Sequence, residues 1–161
     1  MNSGIVIKNV NGYFYVQDEV CTVHECKVRG RIKKNKYSLL VGDRVEISDD
    51  GFVETILPRK NSMIRPAVAN IDQVVLVVAA HEPDINLLLL NKMLVMIEHA
   101  DIPIVLCINK CDLADSETDE LVVLYQSIGY TVITTSVYAN LGIATLKEIL
   151  SHKVQAFAGP S

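Results

Sequence analysis

The run Asn109-Lys110-Cys111-Asp112 brings together side chains that can read a purine base. A fixed carboxylate at Asp112 can accept hydrogen bonds from the ring N1–H and the exocyclic amine of guanine, a pair of donors that adenine lacks. The alkyl stem of Lys110 can cover the face of the base, and the amide of Asn109 can tie the loop to its neighbours. The alternative is an incidental polar loop. We interpret the four residues, including Cys111, as a guanine-binding loop.

Two further segments have the composition of nucleotide-binding loops. In the run Thr134-Thr135-Ser136-Val137, the backbone N–H groups around Ser136 and Val137 could contact the guanine O6, although a helix cap is the plainer alternative. The sequence closes with Phe157-Ala158-Gly159-Pro160-Ser161, in which Gly159 stands where a phosphate-cradling G-x-x-x-x-G-K-[ST] loop would begin. We expect Gly159, Pro160 and Ser161 to start such a loop, with its lysine and its magnesium-binding hydroxyl beyond Ser161.

Predicted strands precede all three loops. The stretches Ile71 to Ala80 and Ile102 to Ile108 are nearly continuous and rich in β-branched residues, as in strands that are buried on both faces of a parallel sheet. Helical spacing follows over 85–99, 117–128 and 143–150, and further strands are predicted over 130–135 and 154–157. The pattern is α/β. Ligands of such sheets bind outside the carboxyl ends of the strands, where each candidate loop begins.

The first part of the chain has a different pattern of short alternating segments and turns. Strands are predicted over 5–10, 13–17, 25–32 and 44–47, with turn chemistry at 11–12, 42–43 and 49–51. Four or five strands in fewer than 60 residues indicate a small barrel of the oligonucleotide-binding (OB) type, which we expect to have five strands. We expect this RNA-binding domain over residues 1–62 and an incomplete α/β domain over 63–161, with Pro58 to Pro66 as the connector.

The charge distribution separates the same two parts. Up to Val68 the sequence has eleven basic and eight acidic residues, and from Ala69 onward it has four and eleven. Lys27, Arg29 and Arg31 alternate along a predicted strand, so they share one face beside the lysines of the next turn, Lys33, Lys34 and Lys36. Such a stripe can neutralise RNA phosphates, and the aromatic residues 13–15 could stack on bases. A solvated charged face is the alternative.

Other function classes lack support. The chain has no signal-peptide pattern and no apolar run near the roughly 20 residues of a membrane span, so we expect a cytoplasmic location and no membrane partner. The spacing of the cysteines does not fit a paired zinc ribbon, and a reducing cytosol would keep them as thiols. Single histidines without a Ser or Cys partner suggest packing or surface roles. We therefore assign no metal ligand and no catalytic residue in this chain.

Several runs together support a resemblance to a known family. They are residues 26–30 (CKVRG), 41–45 (VGDRV), 64–73 (IRPAVANIDQ), the 109–112 loop and residues 157–161 (FAGPS). On these residues the chain resembles the ribosome small-subunit-dependent GTPase A family of circularly permuted bacterial GTPases, over essentially its whole length. The order of the loops agrees, since both base loops precede the phosphate loop. Val137 departs from the alanine that is usual in the family.

The resemblance implies an OB barrel, a permuted GTPase (G) domain and a C-terminal zinc module. It implies binding to the immature small (30S) ribosomal subunit and its 16S rRNA, and hydrolysis of GTP to GDP and phosphate late in maturation. The implied cofactors are GTP with Mg²⁺, and Zn²⁺ only in a module beyond Ser161. The alternative is a non-catalytic rRNA- or ribosome-binding fragment, because the phosphate loop would be cut off after Ser161. Both may hold, and we expect this chain alone neither to bind GTP tightly nor to hydrolyse it.

Overall fold

The computed structural model describes residues 2–29 and 38–160, which form two compact units. The first unit extends to Asn70, and the second begins at Ile71. Predictions for Arg31, Lys33, Lys34, Lys36 and Ser161 lie outside the described residues. No helix in the described ranges is long and apolar enough to cross a membrane.

The first unit is built on a closed barrel of five strands. These are β1 (Asn2–Val10), β2 (Tyr13–Asp18), β3 (Val23–Val28), β4 (Arg44–Ile47) and β5 (Phe52–Ile56). They close in the order β1-β2-β3-β5-β4, and β3 pairs with β5 in parallel while the other pairs are antiparallel. Alternate side chains fill the interior, including Val6, Val16, Cys26, Val45 and Val53. The predicted five-stranded barrel is confirmed.

A short hairpin follows the barrel; it begins within the predicted connector and ends just after it. It consists of β6 (Ser62–Met63) and β7 (Val68–Ala69), which pair antiparallel. The segment before it is held by an ion pair in which the Arg59 guanidinium contacts both oxygens of Asp43, at 2.7 and 2.8 Å. Asp43 is fully buried and also accepts a hydrogen bond from the Leu40 N–H at 2.7 Å. The connector is therefore an ordered part of the first unit.

The second unit is a parallel α/β structure. Its elements are β8 (Gln73–Ala79), α1 (Leu87–Glu98), β9 (Ile104–Asn109), α2 (Ser116–Ile128), β10 (Thr131–Thr134), α3 (Ile143–Leu150) and β11 (Gln155–Ala158). The strands are ordered β10-β9-β8-β11, with every neighbouring pair parallel. The predicted succession of strands and helices is confirmed. In register, Ala79 lies opposite Asn109 and Thr134 opposite Ile108, so these carboxyl ends meet at one edge.

Helices cover both faces of this sheet. On one face Val75, Cys107 and Ile133 form a core on which α3 packs through Leu146 and Ile149. On α1 the buried residues are Leu90, Leu94 and Ile97, spaced three or four apart as on one helix face. Burying a side chain of this size contributes about 1.5 to 3 kcal/mol.

Capping side chains set the starts of α1 and α2. Asn86 Oδ1 accepts the Leu89 N–H at 3.0 Å, and Asp115 Oδ1 accepts the Thr118 N–H at 2.9 Å. A cap of this kind contributes about 1 kcal/mol. The first helix was predicted from residue 85, and it begins at Leu87 because Asn86 is extended and acts as its cap.

Candidate functional site

The candidate loops lie at the carboxyl edge of the parallel sheet. Residues 109–112 continue from β9, residues 135–137 follow β10, and Gly159 and Pro160 follow β11. Since β9 and β10 are neighbours, the first two loops are adjacent, whereas β11 lies on the other side of β8.

Asn109 links the two adjacent loops. Its Oδ1 accepts a hydrogen bond from the buried hydroxyl of Thr135 at 3.1 Å. The backbones are linked as well, because the Thr135 N–H donates to Ile108 O at 2.9 Å and the Cys111 N–H donates to Thr135 O at 3.0 Å. The two loops therefore form one connected unit.

Asp112 is oriented from the second loop. The Ser136 hydroxyl donates a hydrogen bond to Asp112 Oδ1 and accepts one from the Ala139 N–H at 2.9 Å. Ser136 is fully buried, whereas Asp112 is exposed. A carboxylate that is fixed from the protein side and open to solvent on the other can accept donors from a ligand.

The second loop is a tight hairpin. Ser136 and Leu141 exchange backbone hydrogen bonds of 3.0 and 2.9 Å, and Val137 at the turn is 74% exposed. Gly142 closes the hairpin with φ at +67°, and a Cβ there would lie 2.0 Å from Thr134 O. The Ser136 N–H is already used within the hairpin, so the contact with the guanine O6 stays a prediction for the Val137 N–H.

Lys110 is held by a third loop, which connects β8 to α1. Its backbone is left-handed, with φ at 59° and ψ at 38°, and its Nζ donates to Glu82 O. Next to it, the Ala80 N–H donates to Asn109 O at 2.8 Å. No residue pattern indicates this loop, because a backbone carbonyl acts through its position in the fold and not through its residue type.

His81 lies in the same loop between two carboxylates. Its Nδ1 is 2.7 Å from Asp84 Oδ1, and its Nε2 is 3.2 Å from Asp115 Oδ2. The hydrogen bond with Asp84 is the largest cause that raises the pKa of His81 above its ordinary 6.5. The hydrogen bond with Asp115 and the negative charge of that carboxylate raise it further. The Thr118 N–H lowers the pKa of Asp115. No spacing pattern in the sequence joins His81 to Asp115, which is 34 positions away.

Gly159 makes a close backbone approach after β11. A Cβ at this position would lie 2.4 Å from Val77 O on the neighbouring strand, so the position requires glycine. Pro160, which follows, is exposed.

The cysteines are free thiols with different environments. Cys26 and Cys107 are buried, Cys111 is half-buried and Cys21 is exposed. Burial raises the pKa of the Cys107 thiol. Within residues 2–29 and 38–160, no group of three or more His, Cys, Asp or Glu side chains could hold a metal ion.

The outer face of the barrel bears three pairs of a cation and an aromatic ring. Lys8 Nζ lies 5.3 Å from the centre of the Tyr15 ring, and Lys27 Nζ lies 4.9 Å from that of Tyr13. Arg29 Cζ lies 4.9 Å from the centre of the Phe52 ring. Of the predicted basic stripe, Lys27 and Arg29 are exposed at alternate positions as expected.

Acidic side chains neutralise part of this surface. Arg29 makes ion pairs with Asp50 at 3.1 Å and with Glu54 at 2.7 Å. The Tyr15 hydroxyl donates to Glu25 at 3.0 Å, and this contact is the first cause that raises the pKa of Tyr15. Lys8 and Lys27 are thus the clearer cationic positions of the described surface.

Family models match both parts of the chain. The RsgA N-terminal domain matches residues 3–56, and the RsgA GTPase matches residues 56–161. A relative from Alkaliphilus metalliredigens, named small ribosomal subunit biogenesis GTPase RsgA, is 42% identical over 168 residues, which cover 100% of this chain and 57% of the relative. A relative of the same name from Bacillus cytotoxicus is 41% identical over 169 residues, with the same coverage.

Solved structures agree with this result. YjeQ from Thermotoga maritima superposes with a TM-score of 0.84 at 36% identity, over 99% of this chain and 60% of that one. YloQ, described as a circularly permuted GTPase, superposes with a TM-score of 0.78 at 37% identity, over 100% of this chain and 60% of that one. The chain thus spans little more than half the length of the curated relatives it matches. On both family models and on these relatives, the chain belongs to the RsgA family of circularly permuted GTPases.

Proposed function

We propose that the protein binds guanine nucleotides and hydrolyses GTP to GDP and phosphate during biogenesis of the small ribosomal subunit, in the cytoplasm. The relatives that match over the whole chain carry this function in their names. The observation that carries the proposal is the placement of Asp112, which the buried Ser136 hydroxyl orients at the carboxyl edge of the sheet.

Each loop residue has a role in this proposal. The Asp112 carboxylate accepts the N1–H and the exocyclic amine of guanine, and the Lys110 stem covers the base. Asn109 keeps the two base loops together through Thr135. The Val137 N–H faces the O6, and Cys111 completes the turn between Lys110 and Asp112.

The phosphate side of the site begins at Gly159, with Pro160 and Ser161 as the next loop residues. Support comes from its position directly after β11, since ligands of α/β sheets bind outside the carboxyl ends of the strands. We include Mg²⁺ as the ion bound with GTP, where phosphates supply part of its oxygen ligands. We assign it no protein ligand among the described residues.

The test exchanges the base that Asp112 reads. The Asp112→Asn variant presents an N–H₂ donor to the exocyclic amine of guanine, whereas xanthine carries a carbonyl at that position. An unpaired buried polar group costs about 1 to 3 kcal/mol. We therefore expect the variant to bind GTP more weakly and xanthosine triphosphate more tightly. Calorimetry measures both affinities, in a protein that carries these residues together with a complete phosphate loop.

The exchange distinguishes base recognition from damage to the fold. Asp119→Asn on α2 is the control, since Asp119 is also exposed and lies outside the loop. Equal weakening of both nucleotides by Asp112→Asn, in a protein that still unfolds cooperatively, would contradict the proposal.

The partner proposed for the barrel is RNA of the small (30S) subunit, the 16S rRNA. Basic residues neutralise phosphates and exposed rings stack on unpaired bases. Among the described residues the proposal rests on Lys27 and Arg29, with Lys8 and the rings of Tyr13 and Tyr15 beside them. It extends to the remaining predicted basic residues, Arg31, Lys33, Lys34 and Lys36.

A further inference from the structure

The loop between β8 and α1, residues 80–86, contacts the base-reading loop along its length. At one end the Ala80 N–H donates to Asn109 O at 2.8 Å, and in the middle Glu82 O accepts from Lys110 Nζ. The third contact lies beyond the base-reading loop, where His81 reaches Asp115. The segment from Asn109 to Asp115 is therefore held at its start, at its lysine and at its end.

The His81 side chain makes the contact between the β8–α1 loop and the start of α2. One ring nitrogen contacts Asp84 within its own loop, and the other contacts Asp115 at the start of α2, at 2.7 and 3.2 Å. Asp115 in turn accepts from the N–H and the hydroxyl of Thr118, at 2.9 and 3.0 Å, so it is a fixed point of the helix. Through His81, the carbonyl of the next residue, Glu82, is held where Lys110 binds it.

We propose that His81 is a positioning residue for base recognition, which holds the β8–α1 loop against the base-reading loop by bridging Asp84 and Asp115. The inference rests on the proposed function, because it requires that Asn109 to Asp112 read guanine. His81 itself touches no part of the base. It acts through the backbone of Glu82 on Lys110, and through Asp115 on the turn that carries Asp112.

The bridge depends on protonation. An imidazolium donates from both nitrogens and satisfies both carboxylates, whereas a neutral ring has a single N–H to donate. The charged groups that face the ring are Asp84 from its own loop and Asp115 from α2, with the Lys110 ammonium on the adjacent carbonyl. Glu117 and Asp119 add negative charge in the first turn of α2. Because the pKa of His81 is raised, the bridge is complete below about 6.5 and is lost as pH rises through the raised value.

The experiment compares GDP with IDP, which lacks the exocyclic amine, across about pH 5.5 to 8.5. The protein again includes a complete phosphate loop. The variants are His81→Gln, which removes the charge and one of the two contacts, and His99→Gln as the control, because His99 is exposed at the end of α1. Calorimetry gives both affinities, and NMR of the His81 ring gives its protonation.

We expect the parent protein to prefer GDP to IDP several-fold more strongly at the acid end than at the alkaline end, with a midpoint that follows the His81 titration. His81→Gln should have the low preference at every pH, about three- to tenfold below the acid value of the parent. His99→Gln should behave as the parent does.

Two outcomes would overturn the inference. The first is a GDP preference that does not change with pH in the parent, and the second is a His81→Gln variant that keeps the full preference. A variant that loses affinity for GDP and IDP equally would point to a structural role only. Asp112→Asn distinguishes a failure of this inference from a failure of the proposed function. Its expected change of preference from guanine to xanthine tests base recognition and does not depend on a change at His81.

Discussion

At the scale of single residues, the orientation of the Asp112 carboxylate depends on Ser136. Its hydroxyl is fully buried between Asp112 Oδ1 and the Ala139 N–H. Ser136→Ala removes the hydrogen bond that orients the charged Asp112 carboxylate, and a hydrogen bond to a charged group is worth about 1.5 to 3 kcal/mol. In a protein that also carries a complete phosphate loop, we expect guanine nucleotide affinity to fall about tenfold or more, measured by calorimetry. Ser127→Ala on the exposed face of α2 is the control, and similar affinities for the two variants would contradict the prediction.

The second residue-scale prediction concerns the buried ion pair of the first unit. Asp43 is fully buried and accepts from Arg59 and from the Leu40 N–H. Asp43→Ala leaves the guanidinium of Arg59 without its carboxylate, which for a buried pair costs about 3 to 5 kcal/mol. Urea unfolding followed by circular dichroism measures this loss. Asp50→Asn is the matched control, since its pair with Arg29 is exposed and should contribute little. Equal midpoints for both variants would show that the buried pair is dispensable.

Residue types identified part of the site, and tertiary neighbours supplied the rest. Asn109, Lys110 and Asp112 stand together in the sequence and carry their chemistry in their side chains, so they could be named directly. The contact from Ser136 to Asp112 joins residues 24 positions apart, and that from Glu82 to Lys110 joins residues 28 apart. Such contacts follow from the order of strands in the sheet, which no local pattern contains.

At the scale of elements, the hairpin after β10 depends on Gly142. This residue has φ at +67°, and a Cβ would lie 2.0 Å from Thr134 O. Gly129 also has positive φ, at +109°, but a Cβ there would meet nothing within 4 Å. Both alanine variants carry the backbone strain of roughly 1 to 3 kcal/mol, and Gly142→Ala adds the steric clash. We therefore expect thermal unfolding of Gly142→Ala at a clearly lower temperature than Gly129→Ala. Equal melting temperatures would contradict a role for the close approach.

Element types were predicted well where one physical signal dominates. The β-branched run before Ala80 indicated β8, and four of the five barrel strands followed from alternation and turn residues, whereas β5 was not singled out. The short strands β6 and β7 were not predicted. Each has two residues, and their pairing depends on contacts with the barrel, such as the bridge from Val41 to Val68. The start of the first helix was predicted two residues too early, because capping by Asn86 outweighs apolar spacing.

At the scale of the whole molecule, charge is divided unevenly along the chain. The region up to Val68 has a charge of +3, and the region from Ala69 has −7. Polyanions such as RNA are attracted to the first region and repelled by the second, and the effect is reduced by salt. The net charge of the whole chain, which is −4, does not reveal this difference. The barrel is therefore the surface on which to test RNA binding.

The last prediction separates phosphate contacts from stacking on that surface. Lys8 and Lys27 are exposed, so Lys8→Gln with Lys27→Gln should flatten the slope of log affinity against log salt by about 0.7 to 0.9 for each lost contact. Tyr13→Leu should keep the slope and weaken binding by about 1 to 3 kcal/mol, as expected for one lost base stack. Arg29→Gln should change the slope less than Lys27→Gln, because Asp50 and Glu54 already neutralise Arg29.

The measurement is a fluorescence titration of small-subunit rRNA fragments over a range of salt concentrations. The control is Lys92→Gln with Lys147→Gln, which removes the same charge from exposed positions of the second unit. If charge alone attracted RNA, this control would flatten the slope as much as the barrel variant does, and the barrel would not be a defined binding surface. A smaller effect in the control, together with an unchanged slope in Tyr13→Leu, is the combination that only local contacts with phosphates and bases produce.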